Sequence, residues 1–579
     1  MSKQKQPAAQ RNITKKVPAF IRWRFVFVCA CIAMALAGLV ARAAYIQVIE
    51  PDKLRQEGDM RSLRVKALPT ARGMITDRNG ESLAVSVPVK AVWADPVQIF
   101  KHGGLADKEK WHALADVLEL DRNSLLKRLS DNQSKRFIYL QRQVGPAVTA
   151  YIKNLKLPGI GMKMESRRFY PTGEVSAHLV GVTGIDGHGL EGIESRYDKW
   201  LSSEPGKKTF RKDRYGRVVE TIAFKEGQDG KTLGLSIDQR LQAISYRAIK
   251  QAVADYRARS GSLVMVDVNT GEVLAMVNAP SYNPNNRDDL KTFKMRNRAI
   301  TDVFEPGSTV KPFVVLAALE NHVADTSTVI DTGSGLMQIG GARVRDTSKV
   351  GKADLRQILK KSSNIGVSKL SLAMPVEALL GLYSSTGLGD FSGLDLVGES
   401  SGLFPSRRRW SDFERATLSF GYGLSVTPVQ LARAYATLAS GGVNRPLSIV
   451  KTKDVVPGKQ VVSRKYADTV LDMLESVTEK GGSAHRAKID GYRVGAKTGT
   501  AKVAVSGGYS DEYIGYTAGV APISNPRIAM VVVINEPQGD QYYGGQVAAP
   551  VFSEVMKSAL QILNIAPDAG LQTAHKVNN

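Results

Sequence analysis

One uncharged, apolar run near the start constrains this chain most. Phe25 to Ala41 comprises seventeen residues without a charge, and as a helix the run would extend over about 26 Å, close to the thickness of a bilayer core. Residues 1–24 carry seven basic residues and no acidic one. Positive charge flanking a span favours the cytoplasmic side. We therefore predict a basic cytoplasmic tail at 1–24, a transmembrane anchor at 25–45 and export of the chain that follows.

A cleaved signal peptide is the alternative interpretation of this segment. Ala41-Arg42-Ala43 has the small residues of a cleavage site. However, the apolar run is long for a signal peptide, and an arginine is an unfavourable neighbour for cleavage. In an anchor, Arg42 can reach the far interface and Tyr45 can lie at headgroup level. Both cysteines, Cys29 and Cys31, fall within the run, so the exported part has no disulfide framework.

The composition and net charge limit the kinds of molecule that this chain is expected to bind. Hydrophobic residues make up 43% and charged residues 23% of the chain, which is typical of a globular protein and excludes a largely disordered one. A polytopic membrane protein is excluded because only one segment is long and apolar enough to span a bilayer. The net charge is +24, and removing the seven tail charges leaves +17 outside. A basic surface favours polyanions. Because this surface is predicted to be exported, we expect it to face anionic lipid of the inner membrane and wall polymer, and we expect no nucleic acid partner.

The exported chain divides into two predicted parts, at 46–232 and 233–566. The first mixes short strands at 63–68 and 83–89, an Asn79-Gly80 turn, a largely helical spacing from about 107 to 155, and Gly-rich turns beyond it. From Leu233 the pattern is that of one large domain. The end of the chain, 567–579, is polar and aperiodic, and we predict that it is disordered.

The large domain is predicted to be α+β, with a sheet built from its two ends and helices between them. A helix is expected at 238–256, and a hairpin turns at Asn269-Thr270-Gly271. Three further strands follow near the end of the domain. The predicted strands are Leu263–Val268, Glu272–Val277, Val494–Thr500, Tyr513–Val520 and Ile528–Ile534.

The sharpest chemical signal is Ser308 followed three residues later by Lys311. Pro306-Gly307 predicts a turn and 310–320 a helix, so the serine stands at a helix start and the lysine one turn on. A serine hydroxyl needs a base to become a nucleophile. A desolvated lysine near another positive charge can act as that base. A helix N-cap with a surface lysine would give the same pattern, so this motif alone is weak.

Two later elements strengthen the interpretation. Ser362-Ser363-Asn364 offers hydroxyls and an amide that can relay a proton and hold a substrate amide. Lys497-Thr498-Gly499-Thr500 ends an apolar strand, with a cation and hydroxyls for a carboxylate and a glycine that lets a peptide approach. Each element alone has an ordinary structural explanation. Together, in this order, they are the mark of active-site serine enzymes that interact with penicillin.

Other chemistries are poorly supported by the sequence. Only His322 and His485 lie between residues 233 and 566, too few for a convincing Ser-His-Asp site. There is no His-Glu-x-x-His motif and no cysteine cluster, so we expect no metal. The loop at 491–498 has Ala496 where a phosphate-binding loop requires glycine. We expect no cofactor.

Over nearly its whole length, from Trp23 to about Pro567, the sequence resembles class B penicillin-binding proteins, in particular the division-specific peptidoglycan D,D-transpeptidases of the penicillin-binding protein 3 type. Beyond the three active-site elements, the motifs that carry the resemblance are Gly58-Asp59-Met60-Arg61-Ser62-Leu63-Arg64, Arg72-Gly73-Met74-Ile75-Thr76-Asp77-Arg78, Arg211-Lys212-Asp213-Arg214-Tyr215-Gly216-Arg217, Ser281-Tyr282-Asn283-Pro284-Asn285-Asn286, Ser419-Phe420-Gly421-Tyr422-Gly423 and Tyr542-Tyr543-Gly544-Gly545. Asp331–Val350, with four glycines, departs from the pattern expected of the family.

The resemblance implies a fold and a location. It implies one membrane anchor, an elongated α+β pedestal of dimerisation type, and a transpeptidase domain with an antiparallel five-stranded sheet sandwiched by helices. It also implies a single-pass protein of the bacterial inner membrane with a periplasmic catalytic domain at the division septum. The implied partners are a SEDS-family glycosyltransferase and other division proteins.

The resemblance also implies residue roles. Ser308 would be the acylated nucleophile, Lys311 its base, and Ser362 and Asn364 the bridge to the substrate, with Ser363 as a further substrate-binding residue. The substrate would be held by Lys497, Thr498, Gly499 and Thr500, and the backbone N–H groups of Ser308 and Thr500 would form the oxyanion hole. The implied reaction is acyl transfer: Ser308 attacks a D-Ala-D-Ala donor stem peptide, D-Ala leaves, and the amine of an acceptor stem peptide resolves the acyl-enzyme. A β-lactam would acylate Ser308 and remain.

Two alternatives share the motifs. In a serine β-lactamase or a D,D-carboxypeptidase, water would resolve the acyl-enzyme, but the nearest match to a deacylating glutamate segment, Glu377-Ala378-Leu379-Leu380, has Gly381 in place of asparagine. A β-lactam sensor or a non-enzymatic division scaffold could retain the fold. A sensor should carry further spans and a signalling domain, and only 24 residues precede the apolar run.

Overall fold

The computed structural model describes residues 19–68, 70–213, 215, 217–505 and 507–570. The chain forms two compact units, one from residues up to 68 together with 205–227 and one from the remainder. Residues 1–18 of the predicted basic tail and 571–579 of the predicted disordered tail lie outside the described residues.

The first unit contains a long apolar helix. Its first elements are α1 (Ala19–Ala44), a π-helical turn at Tyr45–Ile49, α2 (Pro51–Ser62) and β1 (Leu63–Leu68). The segment Arg22–Ile49 is long and apolar enough to cross a membrane, and none of it is buried against other parts of the chain. This helix contains the whole predicted anchor, 25–45, including Cys29 and Cys31.

The middle of the chain alternates short strands and helices. In chain order these are β2 (Ile75–Thr76), β3 (Ser82–Ala94), α3 (Pro96–Lys101), α4 (Lys108–Val117), α5 (Arg122–Ser130), β4 (Ile138–Val144), α6 (Pro146–Leu155), β5 (Ile160–Phe169), α7 (Ala177–Val180), α8 (Gly192–Arg196), α9 (Asp198–Leu201), β6 (Gly206–Lys212), β7 (Val218–Lys225) and β8 (Leu233–Gly234). Strands β1, β6 and β7 form an antiparallel sheet in the first unit.

The second unit begins with a sheet of order β4-β3-β2-β8, to which β5 adds by pairing with β3. The turn predicted at Asn79-Gly80 joins β2 to β3. The nearly continuous helical pattern predicted from 107 to 155 is wrong in its middle, where β4 pairs with β3. The helical spacing came from the sequences of α4 and α6, and the intervening segment satisfies its backbone hydrogen bonds in the sheet instead.

The rest of the second unit is larger and carries the predicted chemical motifs. Its elements are α10 (Gln239–Asp255), β9 (Ser260–Asp267), β10 (Val273–Ala279), α11 (Thr292–Met295), α12 (Arg298–Thr301), α13 (Lys311–Glu320), β11 (Val329–Asp331), β12 (Leu336–Ile339), β13 (Ala342–Arg345), β14 (Lys352–Asp354), α14 (Leu355–Lys361), α15 (Asn364–Leu372), α16 (Val376–Ser385), α17 (Asp412–Ser419), α18 (Pro428–Ala439), β15 (Val443–Asn444), β16 (Lys459–Gln460), α19 (Arg464–Thr478), β17 (Gly495–Val505), β18 (Gly508–Ala521), β19 (Ile528–Asn535), α20 (Gly544–Val547) and α21 (Ala549–Ile562).

The central sheet joins the two ends of this region, as predicted. Its strand order is β10-β9-β19-β18-β17, and every neighbouring pair is antiparallel. Alternate residues of a strand face opposite sides of a sheet. In β18, Gly515 and Gly519 face Val547 and Phe552 of the C-terminal helices, whereas Tyr516 lies against Gly307. The predicted five-stranded antiparallel sheet with helices on both faces is therefore confirmed, and β17 is one of its two edge strands.

The end of this region extends beyond the predicted boundary at 566. Asp568 is only 4% exposed. Its carboxylate accepts hydrogen bonds from Arg493 N at 2.7 Å and from Ser524 Oγ at 2.7 Å. Disorder from 567 was inferred from polar composition, but a buried carboxylate with two donors holds this residue against the domain.

Candidate active site

Ser308 lies in a tight 3₁₀ turn, Gly307–Val310, immediately before α13. Gly307 has φ +49°, and a Cβ there would meet Tyr516 Oη, so only glycine fits this position. The Tyr516 hydroxyl donates to Glu305 O at 2.8 Å, and Gly307 N donates to Gly421 O at 3.2 Å. The turn is thus held from two sides, with Ser308 partly exposed. The helix predicted over 310–320 is present from Lys311, and Ser308 precedes it by one 3₁₀ turn.

Lys311 connects the first predicted element with the second. Its side chain is completely buried, and Nζ donates to Ser362 O at 2.6 Å, Ser362 Oγ at 3.1 Å and Asn364 Oδ1 at 2.7 Å. Burial lowers the pKa of Lys311 well below its ordinary value, and the nearby charge of Lys497 lowers it further. The carboxylate of Asp346 opposes that shift. The structure therefore places a lysine with a lowered pKa beside two groups of the second motif.

The second motif occupies the junction between α14 and α15. Ser362 has φ +58°, an uncommon conformation for a residue other than glycine, and its carbonyl oxygen faces Lys311 Nζ. Ser363 was predicted to contact substrate, but its side chain is 1% exposed. Its Oγ accepts from Gly366 N at 2.9 Å and donates to Asp346 Oδ2 at 2.7 Å. Ser363 is an N-cap for α15 because both sides of its hydroxyl are used within the protein.

Asp346 is a residue of the site that the sequence does not predict. This buried carboxylate accepts from Asn364 N at 2.6 Å and from Ile365 N at 3.0 Å, in addition to Ser363 Oγ. Asn364 Nδ2 also donates to the neighbouring Arg345 O at 2.8 Å. Asp346 lies within Asp331–Val350, the stretch that departs from the expected pattern, and no motif marks it. It orients the residues that hold Lys311.

The third motif lies on the edge strand β17. Lys497 is completely buried, its Nζ donates to Thr498 O at 3.2 Å and Ser483 Oγ at 3.4 Å, and burial lowers the pKa of Lys497 to about 7. Thr500 Oγ1 accepts from Gly544 N at 3.0 Å. Thr498 Oγ1 lies 3.5 Å from Ser483 O. Ser483 and Gly544 belong to no predicted site, although Gly544 stands in one of the quoted motifs.

Gly499 allows β17 to lie close to the turn that carries Ser308. A Cβ at this position would overlap the ring of Tyr516, with Cζ 2.6 Å away. Tyr516 is fully buried, and its ring also packs on Phe304 at a centroid distance of 4.7 Å. The ring therefore has no room to move, and the glycine is required by packing behind the edge strand.

An aromatic group links the β17–β18 hairpin to the serine turn. Tyr509 Oη donates to the Glu305 carboxylate at 3.0 Å, and Glu305 also accepts from Gly423 N at 3.0 Å. Tyr422 packs edge-on against Tyr509, with centroids 6.2 Å apart. Burial, followed by the hydrogen bond to Glu305, raises the pKa of Tyr509 to about 12, so its hydroxyl is a donor at neutral pH. These contacts tie the hairpin to Glu305, three residues before Ser308.

Metal ligation and a deacylating glutamate find no support in the described part of the chain. It contains no group of three His, Cys, Asp or Glu side chains placed to hold a metal ion. Glu377, from the β-lactamase alternative, is exposed in the first turn of α16.

Comparison with known proteins gives consistent matches. The model of the penicillin binding protein transpeptidase domain matches residues 261–557, and that of the penicillin-binding protein dimerisation domain matches residues 67–235. Peptidoglycan D,D-transpeptidase FtsI of Escherichia coli K12 is 55% identical over 551 residues, covering 95% of this chain and 93% of that protein. The probable peptidoglycan D,D-transpeptidase PenA of Neisseria gonorrhoeae is 39% identical, covering 96% of both chains.

Solved structures agree with these sequence matches. A peptidoglycan synthetase from Bifidobacterium adolescentis superposes with a TM-score of 0.70 at 26% identity, covering 88% of this chain and 98% of that one. The transpeptidase domain of penicillin-binding protein 3 from Burkholderia pseudomallei has a TM-score of 0.54 at 40% identity, covering 58% of this chain and 97% of that domain.

Proposed function

This chain belongs to the penicillin-binding peptidoglycan D,D-transpeptidases of the FtsI family, serine enzymes of cell wall synthesis and division, and from that premise we propose that Ser308 is its acylated nucleophile and Lys311 its general base. The observation that carries the assignment is the position of Lys311 Nζ. It lies between Ser362 and Asn364, fully buried, one turn after Ser308.

A buried amine can accept the proton of a serine hydroxyl when it is neutral. Two effects favour the neutral form of Lys311: it is removed from water, and Lys497 places a second positive charge nearby. After proton transfer, the resulting ammonium is held by Ser362 O and Asn364 Oδ1. The same contacts therefore orient the base and stabilise its charged form.

Lys497, Thr498 and Thr500 bind the terminal carboxylate of the donor peptide in this proposal. An edge strand can pair with an extended peptide through its free backbone groups. Lys497 in its protonated form supplies the positive charge, and the threonine hydroxyls supply donors. The N–H groups of Ser308 and Thr500 then stabilise the oxyanion of the tetrahedral intermediate.

The reaction proceeds in two acyl transfers. Ser308 Oγ adds to the carbonyl carbon of the D-Ala-D-Ala bond while its proton moves to Lys311. The C–N bond then breaks, and D-Ala leaves after its amine takes a proton relayed through Ser362. An acceptor amine attacks the resulting ester and passes a proton through the same relay to Lys311, which returns it to Ser308 Oγ as the ester C–O bond breaks. A β-lactam acylates Ser308 by opening its ring amide, and the leaving amine stays attached.

Covalent labelling tests the nucleophile and base directly. Fluorescent penicillin should label the wild-type protein at one residue, identified by peptide mass mapping as Ser308. Ser308→Ala should abolish labelling, and Lys311→Gln should slow it by about a hundredfold or more, as expected when a base is lost. Ser558→Ala, on the exposed side of α21, is the matched control and should label normally. Normal labelling of Ser308→Ala would disprove the assignment.

We also propose a location and partners finer than family membership. The chain is a single-pass inner-membrane protein with its N-terminus in the cytoplasm, and it acts at the septum beside a SEDS-family glycosyltransferase and other division proteins. Residues 46–232 form a non-catalytic pedestal, and the periplasmic transpeptidase domain runs from 233 to at least Asp568. The apolar helix within Arg22–Ile49 and the basic residues before it support this orientation. A fluorescent fusion should gather at midcell and copurify a polytopic glycosyltransferase. Uniform membrane fluorescence without that partner would contradict the proposal.

A further inference from the structure

A polar pocket of about 650 Å³ in the second unit is lined by none of the proposed catalytic residues. Its walls come from α5, β4, the end of β5 and the loop around 284–288. Five arginines line it, against two carboxylates, Glu119 and Asp288. The five are Arg128, Arg142, Arg167, Arg168 and Arg287.

Two of these arginines are already neutralised by the protein. Arg142 pairs with Glu165 at 3.1 Å and Asp186 at 2.7 Å. Arg168 pairs with Glu194 at 2.6 Å. These ion pairs fix the positions of the two guanidinium groups, and the paired carboxylates compensate much of their positive charge.

The other three arginines are exposed and lack such a pair. Within the described residues, none of Arg128, Arg167 and Arg287 forms an ion pair with a carboxylate. Arg167 Nη2 donates only to a backbone oxygen, Asn285 O, at 3.3 Å. Three guanidinium groups from three different segments thus surround one concavity without a carboxylate partner, an arrangement that favours an anion.

Arg168 adds an independent observation. Its side chain is 4% exposed, with Nε on Glu194 and Nη1 on Ser86 Oγ at 3.1 Å. Among the described residues its Nη2 is buried without a hydrogen-bond partner. A buried cationic donor without an acceptor costs free energy. An oxyanion entering the pocket would supply the missing acceptor.

The loop that carries Arg287 is held rigidly against the end of β5. Asn285 Oδ1 accepts from Tyr170 N at 3.0 Å, and Asn285 Nδ2 donates to Tyr170 O at 2.9 Å. Tyr170 Oη in turn accepts from Thr183 N at 3.0 Å. These contacts fix the backbone segments that carry Arg167 and Arg287 relative to each other. The site is therefore largely formed before a ligand binds, and binding costs little conformational entropy.

We propose that this pocket is an oxyanion-binding site that takes the carboxylates of a peptidoglycan stem peptide, away from the acylated serine. Arginine forks match carboxylate and phosphate geometry in two-point contacts. Under the proposed function the substrate is a carboxylate-rich polymer. The choice of a carboxylate rather than a phosphate as the ligand rests on that function. The site would hold a strand of the wall while a different stem peptide reacts at Ser308.

The test measures binding of a disaccharide-tetrapeptide muropeptide to the full chain in nanodiscs, with Ser308 first blocked by penicillin. The double variant Arg167→Gln/Arg287→Gln should weaken binding by about tenfold or more, because it removes two charge-assisted contacts worth about 1.4 kcal/mol together. Arg247→Gln is the matched control, since Arg247 is an exposed arginine on α10 outside the pocket. A muropeptide with amidated carboxylates should bind as weakly to wild type as the normal one does to the double variant.

Two results would overturn the proposal. One is equal muropeptide binding by the double variant and the Arg247→Gln control. The other is binding of inorganic pyrophosphate with none of the muropeptide, which would assign the arginines to a phosphate. Penicillin labelling of Ser308 separates this test from the proposed function: the double variant should label at the wild-type rate, and a wild type that does not label would refute the function instead.

Discussion

Replacing Asp346 by asparagine tests how the active site tunes its base. The carboxylate holds the turn that contacts Lys311, and its negative charge raises the pKa of Lys311 against the effects of burial and Lys497. Asparagine has nearly the same shape but no charge. If Lys311 must be neutral to accept a proton, removing that charge lowers its pKa and moves the acid limb of the acylation profile to lower pH.

The cost to stability follows from three contacts. One carboxylate oxygen accepts two backbone N–H groups, at 2.6 Å and 3.0 Å, and the other accepts Ser363 Oγ at 2.7 Å. The amide can retain the geometry, because its oxygen accepts and its nitrogen can donate to Ser363. What is lost is the extra strength of bonds to a charged group, about 1 kcal/mol for each of three bonds. We expect the free energy of unfolding to fall by about 3 kcal/mol. If acylation uses half of that stabilisation, its maximal rate falls by about tenfold.

The assay follows penicillin acylation of Ser308 under single-turnover conditions between pH 5 and 9, with thermal unfolding recorded alongside. Asp354→Asn is the matched control, because Asp354 caps the neighbouring α14 by accepting from Gln357 N at 2.7 Å. Because asparagine caps a helix about as well as aspartate does, Asp354→Asn should change stability little and leave the acid limb in place. An acid limb that stays in place or moves to higher pH in Asp346→Asn would refute the electrostatic argument, whatever happens to stability.

Three further changes have defined outcomes. Lys497→Met removes the positive charge that lowers the pKa of Lys311, so the acid limb of acylation should move to higher pH, opposite to the effect of Asp346→Asn; an unchanged limb would show that Lys311 is not the titrating base. Gly499→Ala should slow penicillin acylation by about tenfold or more, because its Cβ overlaps the fixed ring of Tyr516, whereas Gly381→Ala in α16, with open space around it, should label normally. Asp568→Ala should lower the free energy of unfolding by about 1–3 kcal/mol because it leaves buried donors unpaired. In thermal unfolding, a chain truncated after residue 570 should have the midpoint of the wild type, and a chain truncated after residue 566 should have the midpoint of Asp568→Ala.

Local sequence patterns were sufficient to predict the strands of the central sheet in the second unit. The hairpin at β9–β10 and the strands β17 to β19 are runs of apolar residues bounded by turn residues, which is a signal contained within a few neighbours. The prediction failed at β4 for the complementary reason. The segment Ile138–Val144 is a strand because β3 lies beside it, and a pairing partner distant in sequence leaves no periodicity in the segment itself.

The same distinction separates the site residues that sequence could identify from those it could not. Ser308 and Lys311 could be proposed from sequence because the roles we assign to them depend on a spacing of one helical turn. Asp346 has its role only because the chain after β13 returns to the start of α15, where its carboxylate meets two backbone N–H groups. Ser363 illustrates the reverse case, since its position in a motif predicted substrate contact, but its hydroxyl is committed to capping that helix. Motifs therefore predict which atoms react, whereas the groups that set the charge and position of those atoms emerge only from the folded chain.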